Sequence, residues 1–423
     1  MSSIWIVKDH ETLPLPGANS RRMRAGLLAA NLVRRGHQVR WFTSAFDHYQ
    51  KKMQTDKVGP LKLRDGTTLH IVPAVHYKNN VSIRRMVHTA AVAHHISKAF
   101  ATLPPPDLIV VDFPTPDCAA AVAAYSERSG VPFIICVRDL WPDFFRKLLG
   151  PTLGFLATPY LRRMERQTKR AFRRAAGVIG ISNGYLAFGL EKAGRERHAG
   201  DALFPLGYPS SEASPELRAK AQAKLREIGL CPDKPVAAFV GTLGRTYNLT
   251  PAIMAWNERK IPSDWQLLIL GAGDDLTRYK KLANGNPNII FGGYVDGNIV
   301  GPILERADIA LAAYAEGAPQ ELPNKIFEYL SCGCQIISSL TGEAEVLLEK
   351  FGVGVTYKHA DAFSDAFNRI AQKSETERSE KSLRAREVFL SNFEESRIYG
   401  GYVDHIENLL RGSLNSARED WPQ

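Results

Sequence analysis

The sequence has few of the features that mark disulfide-bonded, metal-binding or membrane-spanning chains. It contains 5 cysteines among 423 residues, and most lie in or beside apolar runs, which indicates buried thiols in a reducing compartment. Cys332 and Cys334 have no second metal-like pair, so we expect no cysteine zinc site. The first apolar run ends at Lys8 and is too short for a signal peptide or a transmembrane helix. We therefore expect a cytoplasmic protein.

The chain also lacks the pattern of a nucleic-acid-binding protein, although its net charge is +10. An excess of positive charge favours anionic partners in general. The basic residues are not interleaved with stacking aromatics, which makes nucleic acid a poor candidate. Seven of the 54 basic residues cluster in 160–174, where Tyr160, Met164 and Phe172 add apolar area. This helical segment, joined by a second basic stretch at 82–100, is a candidate for docking on an anionic membrane surface; the alternative is an ordinary solvated helix face.

The pattern that is present is a repeated alternation of short apolar runs with helical stretches. Such alternation predicts an α/β fold with parallel sheets covered on both faces. In the first half, the predicted strands are 4–7, 38–43, 107–112, 132–137 and 177–182. The pattern restarts after a loop-like segment at 203–216, with predicted strands at 235–241, 265–273, 288–295, 308–314 and 335–339. The sequence therefore predicts two Rossmann-like, doubly wound halves facing a central cleft, where such folds bind ligands.

The length supports the same division, because a chain of 423 residues is too long for one core. We place the first domain at 1–205 and the second at 206–392. The last segment, 393–423, has helical apolar spacing, and we expect it to pack back onto the first domain.

The segment from Pro323 to Gly333 carries the clearest chemical signal. If a helix begins near Pro323, Lys325 lies in its first turn and Glu328 follows three residues later on the same face. A helix N-terminus and a cation stabilise a diphosphate, and a carboxylate accepts hydrogen bonds from ribose hydroxyls. This pairing suits a nucleotide-sugar, whereas the alternative is an ion pair on a solvated helix.

Polar residues and glycines in the first half are further candidates. Arg138 and Asp139 directly follow a predicted buried strand, where substrates bind in such folds. Asp139 is a candidate to position or deprotonate an acceptor hydroxyl or to orient Arg138; the alternative is an ion pair that braces the loop. Gly17 and Ala18 precede the first helix, so their backbone could approach a phosphate, or they form a plain turn. The histidines show no paired ligand spacing and are interpreted as surface or packing residues: His10, His37, His76, His88, His94 and His95.

Taken in order, several stretches resemble the family 4 retaining glycosyltransferases of GT-B architecture, in particular the branch that builds bacterial surface polysaccharides. The stretch PNKIFEYLSCGCQII resembles that family's donor-binding helix and following strand. LPLPGANSRRMRAGLLAANLVRRGHQVRWFT resembles its first glycine loop, helix and second strand, while PPDLIVVDFPTP and VPFIICVRDLWPDFF resemble its acceptor-side loops. FVGTLGRTYNL, LLILGAGDDLTRYKKL and NIIFGGYVD resemble its second-domain strands and turns.

The resemblance implies a set of donor contacts in the second half. Glu328 would hold the donor ribose, and Gly241, Gly271 and Val295 would lie at the turns near the pyrophosphate and base. The chain departs from the family pattern of two glutamates separated by seven residues, because Gln320 stands at the first position and Glu316 and Glu321 are displaced candidates. Arg245 and Lys325 are left as the phosphate cations, and the fork of a guanidinium favours Arg245.

We therefore expect a glycosyltransferase that moves a hexosyl or N-acetylhexosaminyl group from a nucleotide-sugar, more often UDP-linked in the family, to an acceptor hydroxyl with retention. The expected acceptor is a polyprenyl-diphosphate-linked saccharide, reached from the inner face of the membrane. No metal and no other cofactor are expected, since no DxD motif stands at a strand end and the cations can neutralise the diphosphate. The alternatives are a sugar-nucleotide 2-epimerase of the same fold and a non-catalytic subunit.

Overall fold

The computed structural model describes residues 1–15, 22–48, 50–80, 82–210, 213–318 and 320–416. These residues form two compact units, one made of Met1–Pro205 with the segment from Ile398 onward, the other of Leu206–Arg397. The sequence-based boundaries lie after residues 205 and 392. The second structural boundary falls later because Phe393 packs against the rings of Phe327 and Phe351 and so stays with the second unit.

The first unit is built on an eight-stranded sheet with the order β10-β9-β8-β7-β1-β2-β6-β5. Only β5 is antiparallel to its neighbour, β6, among the described strands of this sheet. A separate short pair, β3 and β4, is antiparallel. The strands are β1 (Ser3–Val7), β2 (Gln38–Ser44), β3 (Phe46–Asp47), β4 (Lys52–Met53), β5 (Gly59–Lys62), β6 (Thr68–Val72), β7 (Leu108–Phe113), β8 (Phe133–Val137), β9 (Gly177–Gly180) and β10 (Ala202–Leu203).

Helices cover this sheet, and strands β7 and β8 are buried along their whole length, as a parallel sheet between helical layers requires. Before the chain enters the second unit, the first unit contains the helices α1 (Arg24–Arg34), α2 (Ile83–Phe100), α3 (Pro116–Ser129), α4 (Asp143–Arg174) and α5 (Asn183–Ala193).

The second unit contains a six-stranded sheet, all parallel, in the order β13-β12-β11-β14-β15-β16. Its strands are β11 (Val236–Val240), β12 (Gln266–Leu270), β13 (Ile289–Gly293), β14 (Ile309–Ala312), β15 (Gln335–Ser338) and β16 (Gly354–Thr356). Its helices are α6 (Pro215–Glu227), α7 (Thr250–Asn257), α8 (Leu276–Ala283), α9 (Gly297–Leu304), α10 (Asn324–Ser331), α11 (Glu343–Phe351), α12 (Phe363–Ala371) and α13 (Glu375–Asn392). Two core clusters lie on opposite faces of the sheet. The predicted α/β class with two parallel-sheet units is confirmed.

The last helix, α14 (Glu395–Ser416), contributes to the first unit from Ile398 onward. Tyr402 stacks on Phe204 with ring centroids 4.8 Å apart, and His405 lies 3.1 Å from the carbonyl oxygen of Gly200. These contacts hold the helix against the end of β10. Among the described residues, none of the helices combines the length and the apolar character that a membrane span requires.

Candidate functional site

The first turn of α10 holds Lys325 in a partly desolvated position beside the end of β11. The helix begins at Asn324, directly after Pro323, as the sequence predicts. Its buried side chains fix its orientation on the core: Ile326, Phe327, Tyr329 and Leu330. The ammonium group of Lys325 donates a hydrogen bond to the carbonyl oxygen of Val240. Burial lowers the pKa of Lys325, and the nearby charge of Glu328 opposes that shift.

Three aromatic rings surround the ammonium group of Lys325. Its Nζ lies 5.2 Å from the ring centroid of Phe239 and 5.4 Å from those of Tyr247 and Tyr329. A cation held over aromatic faces away from water interacts strongly with an anionic ligand, because little solvent screens it. Lys325 is therefore well placed to bind a phosphate.

Glu328 points to a different partner, the loop that precedes α6. Its Oε1 accepts a hydrogen bond of 2.7 Å from the hydroxyl of Tyr208. The alternative expected from the spacing, an ion pair between Lys325 and Glu328, is not formed in the described part of the chain, where Lys325 instead donates to a backbone carbonyl. Sequence reasoning missed Tyr208 because it lies 120 positions away along the chain.

Two glycine turns bring the loops after β11 and β12 into close contact. Gly271 has a φ of +139°, and a Cβ built on it would lie 1.8 Å from the carbonyl oxygen of Gly241. A Cβ on Gly241 would in turn lie 3.1 Å from Nζ of Lys325. No side chain fits at Gly271, so the close approach of these backbones requires glycine there. Gly241, Gly271 and Lys325 are thus brought together at the carboxyl ends of parallel strands, the ligand edge of such sheets.

A pocket of about 510 Å³ opens beside the loop after β14. All three candidates for the missing family glutamate line it: Glu316, Gln320 and Glu321. The side-chain oxygen of Gln320 is buried and has no hydrogen-bond partner among the described residues. A buried amide oxygen without a hydrogen bond destabilises the fold. A ligand hydroxyl that donates a hydrogen bond to this oxygen would therefore bind favourably there.

Arg245 and Val295 occupy less specific positions. Arg245 is exposed in the loop between β11 and α7. Val295 is 9% exposed and belongs to the hydrophobic core of the second unit, so a donor contact there would be made by its backbone.

In the first unit, Arg138 is held by two buried carboxylates. It follows β8 and pairs with Asp112 on β7 at 2.9 Å and with Glu11 at 3.3 Å. Glu11 also accepts the N–H groups of Ala25 and Gly26 at the start of α1. Burial opposes ionisation of Asp112, but the charges of Arg138, Lys8 and Arg24 together with the hydrogen bond from Arg138 lower the pKa of Asp112. The ion pair that braces the loop is therefore present, with partners other than Asp139.

Asp139 has partners on its own loop. Its carboxylate accepts the N–H of Leu140 at 2.8 Å and the indole N–H of Trp141 at 3.2 Å. Burial raises the pKa of Asp139 above that of an ordinary aspartate. The expectation that Asp139 orients Arg138 is wrong, since the arginine is oriented by Asp112 and Glu11. Gly17 and Ala18 lie outside the described residues.

A buried polar cluster that the sequence did not reveal follows β1. His88 Nε2 lies 2.8 Å from Asp9 Oδ2, and His10 Nε2 lies 3.3 Å from the same oxygen. Ser44 donates to the other oxygen of Asp9 from both its hydroxyl and its N–H. The interpretation of His10 and His88 as surface or packing residues misses this cluster because α2 brings His88 there from 79 positions away.

The basic part of α4 is exposed, but its apolar residues are not. Arg162, Arg166 and Lys169 are exposed, whereas Met164 and Phe172 are 2% and 0% exposed. The prediction that Met164 and Phe172 add apolar area to the exposed face of this segment is therefore wrong, because both side chains pack into the core of the first unit.

Exposed apolar side chains are found instead at the beginning of α2 and in the first half of α4. Ile83, Val87 and Phe155 are 77%, 48% and 79% exposed. Near them, α2 and α4 border an apolar pocket of about 240 Å³, whose lining includes Ile83, Met86, Trp141, Phe145 and Leu161. Arg85 also lines the pocket and lies over Trp141, 4.5 Å from its ring centroid.

Two family models match the chain, one in each unit. Residues 24–197 match the model Glycosyltransferase Family 4, and residues 234–373 match the model Glycosyl transferases group 1. Together the two matches cover most of the chain. A comparison with curated proteins finds no match.

Solved structures with the same fold cover nearly the whole chain. A sucrose-phosphate synthase from Thermosynechococcus elongatus is 15% identical, with a TM-score of 0.70 over 98% of this chain and 100% of that one. Anabaena HepE in complex with UDP is 13% identical, with a TM-score of 0.65 over 96% and 100%. An Escherichia coli trehalose-6-phosphate protein bound with UDP-2-fluoro glucose is 14% identical, with a TM-score of 0.63 over 97% and 99%. At this identity, the likeness shows the GT-B fold.

Proposed function

We propose that this chain of two glycosyltransferase domains transfers a hexosyl or N-acetylhexosaminyl group from a UDP-sugar to an acceptor hydroxyl. The transfer proceeds with retention at the anomeric carbon. The observation that carries this proposal is the grouping of Lys325, Glu328 and the glycine turns of Gly241 and Gly271 at the ligand edge of one sheet. UDP is the preferred nucleotide because it is common in the family and because structures of the same fold hold UDP or a UDP-sugar.

The leaving diphosphate is bound by cations and by backbone in this proposal. Lys325, in its aromatic surroundings, and the start of α10 bind one phosphate, while the exposed Arg245 reaches the diphosphate from its loop. Retaining transfer requires charge stabilisation on the leaving group as the glycosidic bond opens, and preorganised cations supply it. No metal and no further cofactor take part.

The nucleoside and the sugar are assigned to two neighbouring features of the second unit. Glu328, positioned by Tyr208, accepts hydrogen bonds from the ribose. The transferring sugar occupies the pocket of Glu316, Gln320 and Glu321, where the unsatisfied amide of Gln320 bonds a sugar hydroxyl.

The acceptor is assigned to the first unit and is a polyprenyl-diphosphate-linked saccharide of surface polysaccharide synthesis. The apolar pocket between α2 and α4 suits a hydrocarbon chain, and Arg85 on its wall suits the attached phosphate. Asp139, whose pKa is raised by burial, serves as the base for the acceptor hydroxyl.

Peripheral docking on the inner face of the cell membrane brings the enzyme to this acceptor. The exposed Ile83 and Phe155 enter the interface, and the exposed basic residues of 160–174 bind anionic headgroups, each contributing about 1 kcal/mol near the surface. Replacing both Ile83 and Phe155 with serine is expected to weaken binding to anionic vesicles at high and low salt. Equal binding by this variant would contradict the assignment.

The test of the donor site is calorimetric titration with UDP and GDP, followed by incubation with radiolabelled UDP-sugars and polyprenyl-diphosphate-linked acceptors. Glu328→Ala and Arg245→Ala should weaken UDP binding, whereas Glu349→Ala, which replaces an exposed glutamate of the same unit, should leave it unchanged. Label in the lipid extract supports the transferase. An altered sugar on UDP without acceptor would indicate the 2-epimerase, and no nucleotide binding would indicate a non-catalytic subunit.

A further inference from the structure

Three side chains after β1 and on α2 direct metal-ligand atoms at one point in the first unit. One ligand atom from each of Asp9, His10 and His88 lies within 4.8 Å of the other two, and no other group of this kind is found among the described residues. A tetrahedral zinc site with bonds of about 2.0–2.1 Å places neighbouring ligand atoms roughly 3.3 Å apart. The Asp9 to His10 distance of 3.3 Å already fits, and the Asp9 to His88 distance of 2.8 Å needs to open by about half an ångström.

The outer atoms of the same side chains are fixed as in known metal sites. Nδ1 of His88 lies 2.6 Å from the carbonyl oxygen of Val75, so it carries the proton and leaves Nε2 at the centre of the cluster. Oδ1 of Asp9 accepts hydrogen bonds from the hydroxyl and N–H of Ser44, at 2.5 and 3.1 Å, which leaves Oδ2 facing the two histidines. These contacts orient ligands before an ion arrives.

His10 is the member of the cluster whose Nε2 lacks a well-formed hydrogen bond in the described part of the chain and whose backbone is strained. Its side chain is 9% exposed, and Nε2 has no hydrogen bond of good geometry among the described residues. Its backbone φ is +66°, a conformation that a non-glycine residue adopts at a cost in free energy. A buried imidazole nitrogen without a hydrogen bond, held on a strained backbone and directed at a carboxylate, indicates a missing partner at that nitrogen.

We propose that Asp9, His10 and His88 bind one divalent transition-metal ion, with zinc as the best fit. Two imidazoles and one carboxylate suit zinc and its first-row neighbours rather than magnesium or calcium, which prefer oxygen ligands. Three protein ligands leave a fourth coordination position, which a water molecule would fill. The proposal does not depend on the proposed donor site, which lies in the second unit.

The alternative to a bound metal ion is a proton on His88, which would make its imidazole a cation. Without an ion, His88 is held by hydrogen bonds to both Asp9 and Val75, as an imidazolium paired with a carboxylate would be. Lys8 and Arg85 face the cluster and oppose a bound cation. The carboxylates of Glu11 and Asp112 also lie near Lys8, but they are already paired with Arg138. Only direct metal titration separates the ion from the proton.

The test uses the full chain without a histidine tag, treated with a chelator and then dialysed. It is titrated with zinc by calorimetry and with cobalt by visible spectroscopy, with magnesium as the oxygen-preferring comparison. The ligand variant is His10→Asn, because asparagine tolerates the positive φ and its shorter side chain does not reach the centre. His94→Ala, an exposed histidine on α2, is the matched control.

The expected result is one zinc per chain, a tetrahedral cobalt spectrum and little response to magnesium. Ser44→Ala should weaken zinc binding by about 10- to 100-fold, and His10→Asn should weaken it more than that. His94→Ala should bind like the unaltered chain. Circular dichroism of each variant shows that the fold is intact. Absence of zinc binding, equal binding by His10→Asn, or an octahedral cobalt spectrum would overturn the proposal.

Discussion

Replacement of Glu328 with alanine tests the donor site most directly. The carboxylate already accepts one hydrogen bond, from Tyr208 at 2.7 Å, and the ribose is assigned to its remaining lone pairs. A hydrogen bond to a charged group contributes about 1.5–3 kcal/mol. Loss of one such bond raises the dissociation constant of UDP by roughly 10- to 150-fold.

Weaker binding of UDP does not by itself show that Glu328 contacts the ribose. The experiment is therefore designed as a double-mutant cycle. UDP, 2′-deoxy-UDP and 3′-deoxy-UDP are titrated by calorimetry into the unaltered chain and into Glu328→Ala. If Glu328 binds a ribose hydroxyl, removal of that hydroxyl weakens binding to the unaltered chain and has no further effect on the variant.

Additive losses would refute the assignment, because they would show that the carboxylate and the hydroxyls act independently. Tyr208→Phe provides the second control. It removes the positioning contact and keeps the carboxylate, so we expect a smaller loss that still depends on the ribose hydroxyl. A loss in Tyr208→Phe equal to that in Glu328→Ala would mean that the pair acts through the fold of the second unit.

Three further changes have outcomes that follow from the structure. Gly271→Ala places a methyl group against a backbone carbonyl at a positive φ, and should destabilise the second unit by about 3 kcal/mol or more in calorimetric unfolding, whereas Gly297→Ala, with open space around it, should not. Arg138→Met leaves two buried carboxylates unpaired and should cost about 3–5 kcal/mol in denaturant unfolding at neutral pH. The pKa of its partner aspartate is lowered by the arginine, so this deficit should shrink as acid protonates the carboxylates, and a constant deficit would contradict the ion pair. If Asp139 is the base, kcat/KM should fall with decreasing pH through a pKa above the ordinary aspartate range, and Asp139→Asn should lower the rate by about 10²- to 10⁴-fold and abolish that acidic limb.

Apolar runs in the sequence were sufficient to locate the central strands of both sheets. Strand β11 spans Val236–Val240 where the pattern predicts 235–241, and β15 spans Gln335–Ser338 where it predicts 335–339. These strands are buried between two helical layers, and their central residues are apolar, Ala237, Ala238 and Phe239 in β11 and Ile336 and Ile337 in β15. Strand β5, Gly59–Lys62, was missed because it lies at the sheet edge, begins with glycine and proline, and alternates half-buried with exposed residues.

The start of α10 was predictable for a similar local reason. A proline followed by helical apolar spacing fixes both the beginning of the helix and the face that it buries, and Lys325 and Glu328 then follow from their positions. Their partners were not predictable, because Tyr208 and Val240 come from distant parts of the chain. Local periodicity therefore shows which side chains point toward a site, and only the fold shows what they contact there.

Arg138 and Lys325 show why the contacts made in the fold, and not the local sequence pattern alone, are needed to assign a function. The sequence predicts a phosphate contact for Lys325 from its place in the first turn of a helix, and a substrate contact for Arg138 from its place after a buried strand. The neighbouring strand and the loop after β1 supply Arg138 with two buried carboxylates, which neutralise it before any ligand arrives. Lys325 is placed among aromatic rings and a backbone carbonyl, with no carboxylate at ion-pair distance among the described residues. Its charge is not neutralised by the fold, so a phosphate gains more at Lys325 than at Arg138, and substitution of the lysine should weaken donor binding while substitution of the arginine should mainly reduce stability.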